Sequence, residues 1–196
     1  MYSWNYIKNL TLMKLDLEED EGNALSLISR FKYYANEAMT LICSTVKPKR
    51  LHASIEVTKE QIGTCIKIDD ANFIGFGDDT NWVTTYQYGT AITTKTNDQD
   101  FLYNGYNEII PFVEGKFLIS YNARWIRFDT LQNEIEPLDV PTDVLECLPS
   151  YIASQCMKVD DDYKASVLRN EFEMLVARID NTDYKTNKTF SIGGDW

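Results

Sequence analysis

The run from Val140 to Asp180, VPTDVLECLPSYIASQCMKVDDDYKASVLRNEFEMLVARID, decides how the rest of the chain is arranged. Leu145, Leu148, Ile152 and Cys156 recur at helical spacing and predict one apolar face. After the polar break Asp160-Asp161-Asp162 the same spacing returns in Leu168, Phe172, Leu175 and Ile179. Two such stripes are buried by facing each other. The three aspartates offer an N-cap and negative charge to the positive end of the second helix, so a tight antiparallel helical hairpin is expected. Nothing in this hairpin spells out a catalytic reaction.

On its N-terminal side, between Ala53 and Phe128, the period changes from helical to alternating, and β-branched and aromatic residues dominate. The expected strands are Ala53 to Thr58, Thr64 to Ile68, Asn81 to Tyr86, Thr90 to Lys95, Tyr106 to Phe112 and Lys116 to Phe128, the last bending near Asn122. Turn-forming residues separate them. Asn104-Gly105, between Tyr103 and Tyr106, predicts a type I′ hairpin turn.

Further upstream, Ile28, Phe31, Ala35, Ala38, Met39 and Ile42 lie on one face of a helix expected from about Asn23, its N-cap, to Thr45. Pro48 stops that helix, and Lys47, Lys49 and Arg50 close it with positive charge. The first residues are unusually aromatic. Tyr2, Trp4 and Tyr6 alternate, which suits a short strand or an arm laid on a partner, and this makes Trp4 and Tyr6 candidate interaction residues. After Asp180 a polar spacer leads to Phe190, Ile192 and Trp196 around Gly193-Gly194. Ordering such a tail costs entropy that only burial offsets, so Phe190, Ile192 and Trp196 are read as anchors for another surface.

The resulting fold class is α+β. A helical bundle, made of the long N-terminal helix and the C-terminal hairpin, spans residues 1–52 and 129–180. An antiparallel β-rich insertion, sandwich or barrel-like, spans 53–128, and an extended C-terminal arm spans 181–196.

At 196 residues, with 44% hydrophobic and 25% charged residues, the chain can bury one sizeable core or two small ones. A net charge of -11 argues against gripping nucleic acid, which needs clustered cations. An acidic wall does suit a channel through which DNA slides without binding. The cysteines at 43, 65, 147 and 156 contain no C-x-x-C pair, and His52 is the lone histidine, so no metal site is expected. Asp69-Asp70, Asp78-Asp79 and Asp160 to Asp162 lack calcium-loop spacing and read as turn and cap chemistry. No phosphate-binding glycine loop and no G-x-S-x-G elbow occurs. The expectation is a protein that is not an enzyme and needs no cofactor. The N-terminus lacks the build of a signal peptide, and no apolar run is long enough to span a bilayer, so cytoplasmic synthesis without secretion is expected.

Leu148-Pro149-Ser150-Tyr151-Ile152-Ala153-Ser154, followed by Arg169-Asn170-Glu171-Phe172-Glu173, resembles the C-terminal helical signature of head-to-tail connector (adaptor) proteins of tailed bacteriophages. The likeness covers roughly the last third of the chain. The order of elements is also similar in outline to some adaptors of short-tailed phages, while the long β-rich middle departs from the smaller, almost wholly helical connectors. The resemblance implies a structural virion protein that forms a ring, a dodecamer, between portal and tail around the genome channel. Its implied partners are the portal protein, tail proteins and further copies of itself, with no membrane and no sequence-specific DNA contact. From the residues, a different class also fits: a carbohydrate-binding β-module with a helical support, using Trp82, Tyr86, Tyr88, Tyr103 and Tyr106. A carboxylate-dependent hydrolase is the third reading.

Overall fold

Two helices open the chain, α1 (Trp4–Leu15) and α2 (Gly22–Thr45). Eight strands follow: β1 (Lys49–Val57), β2 (Ile66–Lys67), β3 (Phe73–Phe76), β4 (Trp82–Gln87), β5 (Thr90–Lys95), β6 (Phe101–Asn104), β7 (Glu108–Pro111) and β8 (Gly115–Ala123). Helices α3 (Thr142–Met157) and α4 (Asp162–Ala177) complete the computed structural model, which describes residues 2–19 and 22–179. The protein is thus α+β, with four helices and antiparallel sheets.

The first residues form a helix, not the expected strand or arm. Ser3 caps α1 by accepting a hydrogen bond from the Tyr6 N–H, and Trp4, Ile7, Thr11 and Leu15 fall on one buried face at helical spacing. Asp16 ends the helix in the left-handed conformation at φ 59°, a cap that aspartate tolerates better than most residues. Helix α2 begins at Gly22, so Asn23 lies inside its first turn and is not the cap. Beyond its end, Lys49 and Arg50 belong to β1 and do not close the helix.

The hairpin stretch folds as two helices joined by a short turn, and Asp161 is the aspartate that caps the second, accepting from the Lys164 N–H at 2.9 Å. Helix α3 goes beyond a single stripe. Most residues from Val144 to Cys156, including Pro149, Ser150 and Ser154, are buried because α1, α2 and α4 each pack against it, while Glu146 stays exposed. Phe128, on a short 3-10 turn at Phe128–Thr130, and Trp4 join that helical core, with ring centroids 5.0 Å apart.

In the β region, β8 is the organising strand. One edge pairs with β1 along its whole length, from Lys49 opposite Ala123 to Val57 opposite Gly115. Its other edge is shared by β3, against Tyr121 to Ala123, and β4, against Lys116 to Leu118. Between them the Ser120 N–H donates to Asn81 Oδ1, and its carbonyl accepts from Gly77 N–H, so the ladder gap is filled. Strand β5 continues the sheet beyond β4, while β2, β7 and β6 make a second, three-stranded sheet. Ile68, Phe101 and Ile109 from the second sheet side share one apolar cluster with Val83, Phe117 and Ile119 of the first. β8 ends at Ala123, so the expected long strand to Phe128 stops there and its last residues join the helical side.

The type I′ turn is found at a different place from the expected one. Tyr88 and Gly89, at φ 51° and 80°, link β4 to β5 with the two positive φ angles that such a turn requires. At Asn104-Gly105 only Gly105 has positive φ, and three residues separate Asn104 from its ladder partner Glu108.

Candidate functional site

The two halves of the C-terminal signature meet in space. Tyr151 on α3 and Phe172 on α4 pack edge to face with centroids 4.9 Å apart, both buried. The Arg169 guanidinium lies 5.0 Å from the Tyr151 centroid and 5.2 Å from that of Phe172, and its Nε donates to Glu173 at 2.9 Å. Burial works against the charge on Arg169, but the bonds to Glu173 and Tyr151 outweigh it and raise its pKa. The Tyr151 phenol is raised by burial first, then by the neighbouring Glu37 carboxylate. An arginine over two aromatic rings fixes the lateral register of the two helices.

Ion pairs tie the outer helices together at one end. Lys14 of α1 holds Glu171 of α4 at 2.7 Å, and Lys164 of α4 holds Asp16 at 2.7 Å. At the other end Lys47, its side chain 3% exposed, pairs with Asp143 at the start of α3. Tyr2 donates to Glu146, a bond that pushes its phenol up to about 12.

Of the residues expected to touch partners, Trp4 is 2% exposed and belongs to its own core, while Tyr6 beside it is 47% exposed. Phe190, Ile192 and Trp196 lie outside the described residues.

A groove of about 700 Å³ runs along α2, with Tyr33 and Leu41 exposed beside Lys32, Glu37, Arg124 and Arg127. On α4 a second set of apolar residues, Tyr163, Val167 and Met174, is exposed on the side away from Ala165, Leu168 and Phe172. Sequence reasoning passed over that set because the stronger inward stripe on the same helix accounts for its amphipathic pattern. The signal for it is the spacing from Tyr163 to Val167 to Met174, which is itself helical.

The aromatic set of the β region divides. Trp82 and Tyr86 alternate with buried Val83 and share the outer face of the five-stranded sheet, with Tyr88 beyond them on the turn. Tyr103 and Tyr106 are part of the rim: Tyr103 accepts from Asn81 and packs on Phe76, and Tyr106 donates to the Phe73 carbonyl and packs on Phe73.

The aspartates do local work. Asp70 accepts from the Asn72 N–H and the Tyr121 hydroxyl, and Asp79 faces Arg50. His52 is exposed in the middle of β1, opposite Ser120. Among the described residues no group of three His, Cys, Asp or Glu side chains stands close enough to hold a metal ion. Burial pushes the Cys43 thiol up to about 11 and those of Cys147 and Cys156 to about 12, so these three are inert packing groups, and Cys65 is exposed. No described helix is long and apolar enough to cross a membrane.

No protein-family model matches the chain, and no curated protein matches it. Among solved structures it is similar to a chain described as the neck of an empty GTA particle computed with C6 symmetry. That similarity has 11% identity and a TM-score of 0.30, over 84% of this chain and 87% of the other.

Proposed function

We propose that the chain is a structural protein of a tailed-phage virion, one that assembles as a ring in the neck between portal and tail. The observation that carries the proposal is the meeting of the two signature segments at Tyr151, Arg169 and Phe172, which places the residues behind the connector resemblance in one packed unit. The structure offers this role a braced helical wall, with α3 enclosed by the other three helices, and a β-rich projection joined to it. The net charge of -11 suits a wall along which DNA slides. In this reading the segment from Phe190 to Trp196 docks on an adjacent protein, and neither a metal nor a cofactor takes part.

The test is solution mass and electron microscopy of the chain alone and mixed with the portal protein of the same phage. A closed ring of about a dozen copies, bound to portal, is expected. A monomer that ignores portal overturns the proposal. A monomer that binds glycans through Trp82, Tyr86 and Tyr88 would replace it with the carbohydrate-binding reading, which those exposed rings favour.

A further inference from the structure

The helical and β regions keep separate cores. The helical cluster runs from Trp4 to Phe172 and Ile179 and, among the described residues, takes from the strands only Ile74 of β3. The β cluster around Val83, Phe117 and Ile119 takes no helix residue. Packing of helix on strand is chiefly that of α2 on β3. Two bodies that share so little buried apolar surface move relative to each other unless something else binds them.

The chain crosses between them twice, and the two crossings lie side by side. One is Lys47-Pro48-Lys49 and the other Ala123-Arg124-Trp125, with Lys49 opposite Ala123 in the ladder. Their helical ends are fixed. Lys47 is held by Asp143, and the Trp125 indole N–H donates to the Lys47 carbonyl at 3.0 Å. Their β ends are fixed by the ladder, which begins at Lys49 and Ala123. What lies between is a short joint, Pro48 beside Arg124. Hinges are built from a few such residues at the ends of elements. Two strands tied edge to edge bend across their shared plane more easily than within it, which gives the joint one axis.

Arg124 also ties the two bodies together. Its N–H donates to the Asn72 carbonyl at 2.8 Å and its Nη2 to the Ala71 carbonyl at 3.1 Å, both on the turn that leads into β3. Its Nη1 reaches Thr40 Oγ1 of α2 at 3.4 Å, which is long for a hydrogen bond and therefore weak. At the same place Arg124 Nε and Asn72 Oδ1 are buried with no hydrogen-bond partner from the protein. Opening the joint hydrates both atoms, and this offsets part of what the Thr40 bond and the Ile74 contact lose.

We propose that the β region swings as one body about the paired crossings, with the Arg124 to Thr40 bond and Ile74 as the latch that holds it against α2. This goes beyond the neck reading and does not depend on it.

Spin labels read the swing in the full chain. Cys65 is exposed on the β side, Ser166→Cys adds one exposed thiol on α4, and the three buried cysteines stay unlabelled while the chain is folded. Diluting labelled with unlabelled chain confines the measured distances to one copy. Arg124→Ala removes the latch, and Thr40→Val, which deletes only the hydroxyl acceptor, takes its place if thermal melts show that Arg124→Ala does not fold. The expected result is a second, resolved distance between the labels whose share grows in the variant, while the amides of β1 and β8 keep their protection from hydrogen exchange. A distance distribution that superposes on the parent's overturns the proposal. So does faster exchange confined to residues 71–73 with unmoved labels, which means that the turn frays and the two bodies stay fixed. A new distance that comes with lost protection across β1 and β8 also overturns it, because the β region is then unfolding and not swinging.

Discussion

The Arg169 guanidinium lies over the ring of Tyr151, 5.0 Å from its centroid, and so a residue of one helix fixes its position against the neighbouring helix through a charge on a π face. Phe172 completes the stack and is 3% exposed. Phe172→Ala leaves a cavity between α3 and α4 and is expected to cost about 3–5 kcal/mol. Chemical denaturation of parent and variant measures it, and coincident curves would show that this face does not hold the helices together.

Asp143 holds the buried Lys47 ammonium, joining the chain just beyond α2 to the start of α3. Replacing the carboxylate in Asp143→Asn weakens a charged hydrogen bond to a side chain that has little access to water. The expected loss is about 1–3 kcal/mol. Lys47→Met in the same background removes the charge as well and should recover most of it. The four chains of the double-mutant cycle, compared by urea titration, decide the matter.

The Tyr121 hydroxyl donates to Asp70, and burial first, then that carboxylate, pushes its pKa up to about 12. An unfolded tyrosine ionises near ~10. The folded pKa is the higher one, so this contribution is fully present below about pH 10 and is lost as pH rises toward 12. Tyr121→Phe should therefore flatten the alkaline fall in stability, at the cost of one hydrogen bond at neutral pH. Unfolding free energy measured across that range gives both effects.

Tyr88 adopts φ 51° at the β4 to β5 turn, a conformation that costs a residue with a bulky side chain about 1 kcal/mol and costs asparagine less. Tyr88→Asn is expected to stabilise the isolated chain by about that amount. A melting temperature that falls instead would mean that the exposed ring packs on something in the folded chain.

Thiol titration provides a fourth kind of measurement. Cys65 is exposed while Cys43, Cys147 and Cys156 are buried with raised pKa values. A folded sample should react with a thiol reagent at one site quickly and at the other three only after denaturant is added.

What could be read from the sequence depended on how each element gains its stability. The α3 and α4 helices were legible because long helices bury periodic faces, as at Leu148, Ile152, Leu168 and Phe172. The burial of α3 on more than one face was not, since Ser150 and Ser154 look solvent-facing until three neighbours close around them. Helix α1 was misread because Tyr2, Trp4 and Tyr6 alternate like a strand, whereas the Ser3 cap and the run Trp4, Ile7, Thr11, Leu15 decide for a helix. Strands β3 and β6 were missed for the opposite reason. Each has four residues, too few for a period, and each is held by pairing with β8 or β7. Gly89 marks a turn between the fourth and fifth strands in the sequence, but the type I′ geometry of Tyr88-Gly89 was not legible, because tyrosine is a poor turn former and its positive φ is imposed by the strands on either side. Of the expected interaction residues, Trp4 carried an aromatic signal that served the core, and the outward stripe of α4 was masked by the inward one.

The position of β8 has a consequence for how fast the molecule can form. This one strand templates β1 on one edge and both β3 and β4 on the other, and its partner β1 lies at the far end of the β region in sequence. The five-stranded sheet cannot be completed until nearly the whole insertion has left the ribosome, and its closure carries the entropy of a long loop. Helices α3 and α4, by contrast, meet across a short turn. Refolding should therefore separate in time, with helical signal recovered early and the burial of Phe117 and Ile119 late. During that interval β1 presents bare edges, and synthesis at high copy number then favours chaperone assistance or low temperature.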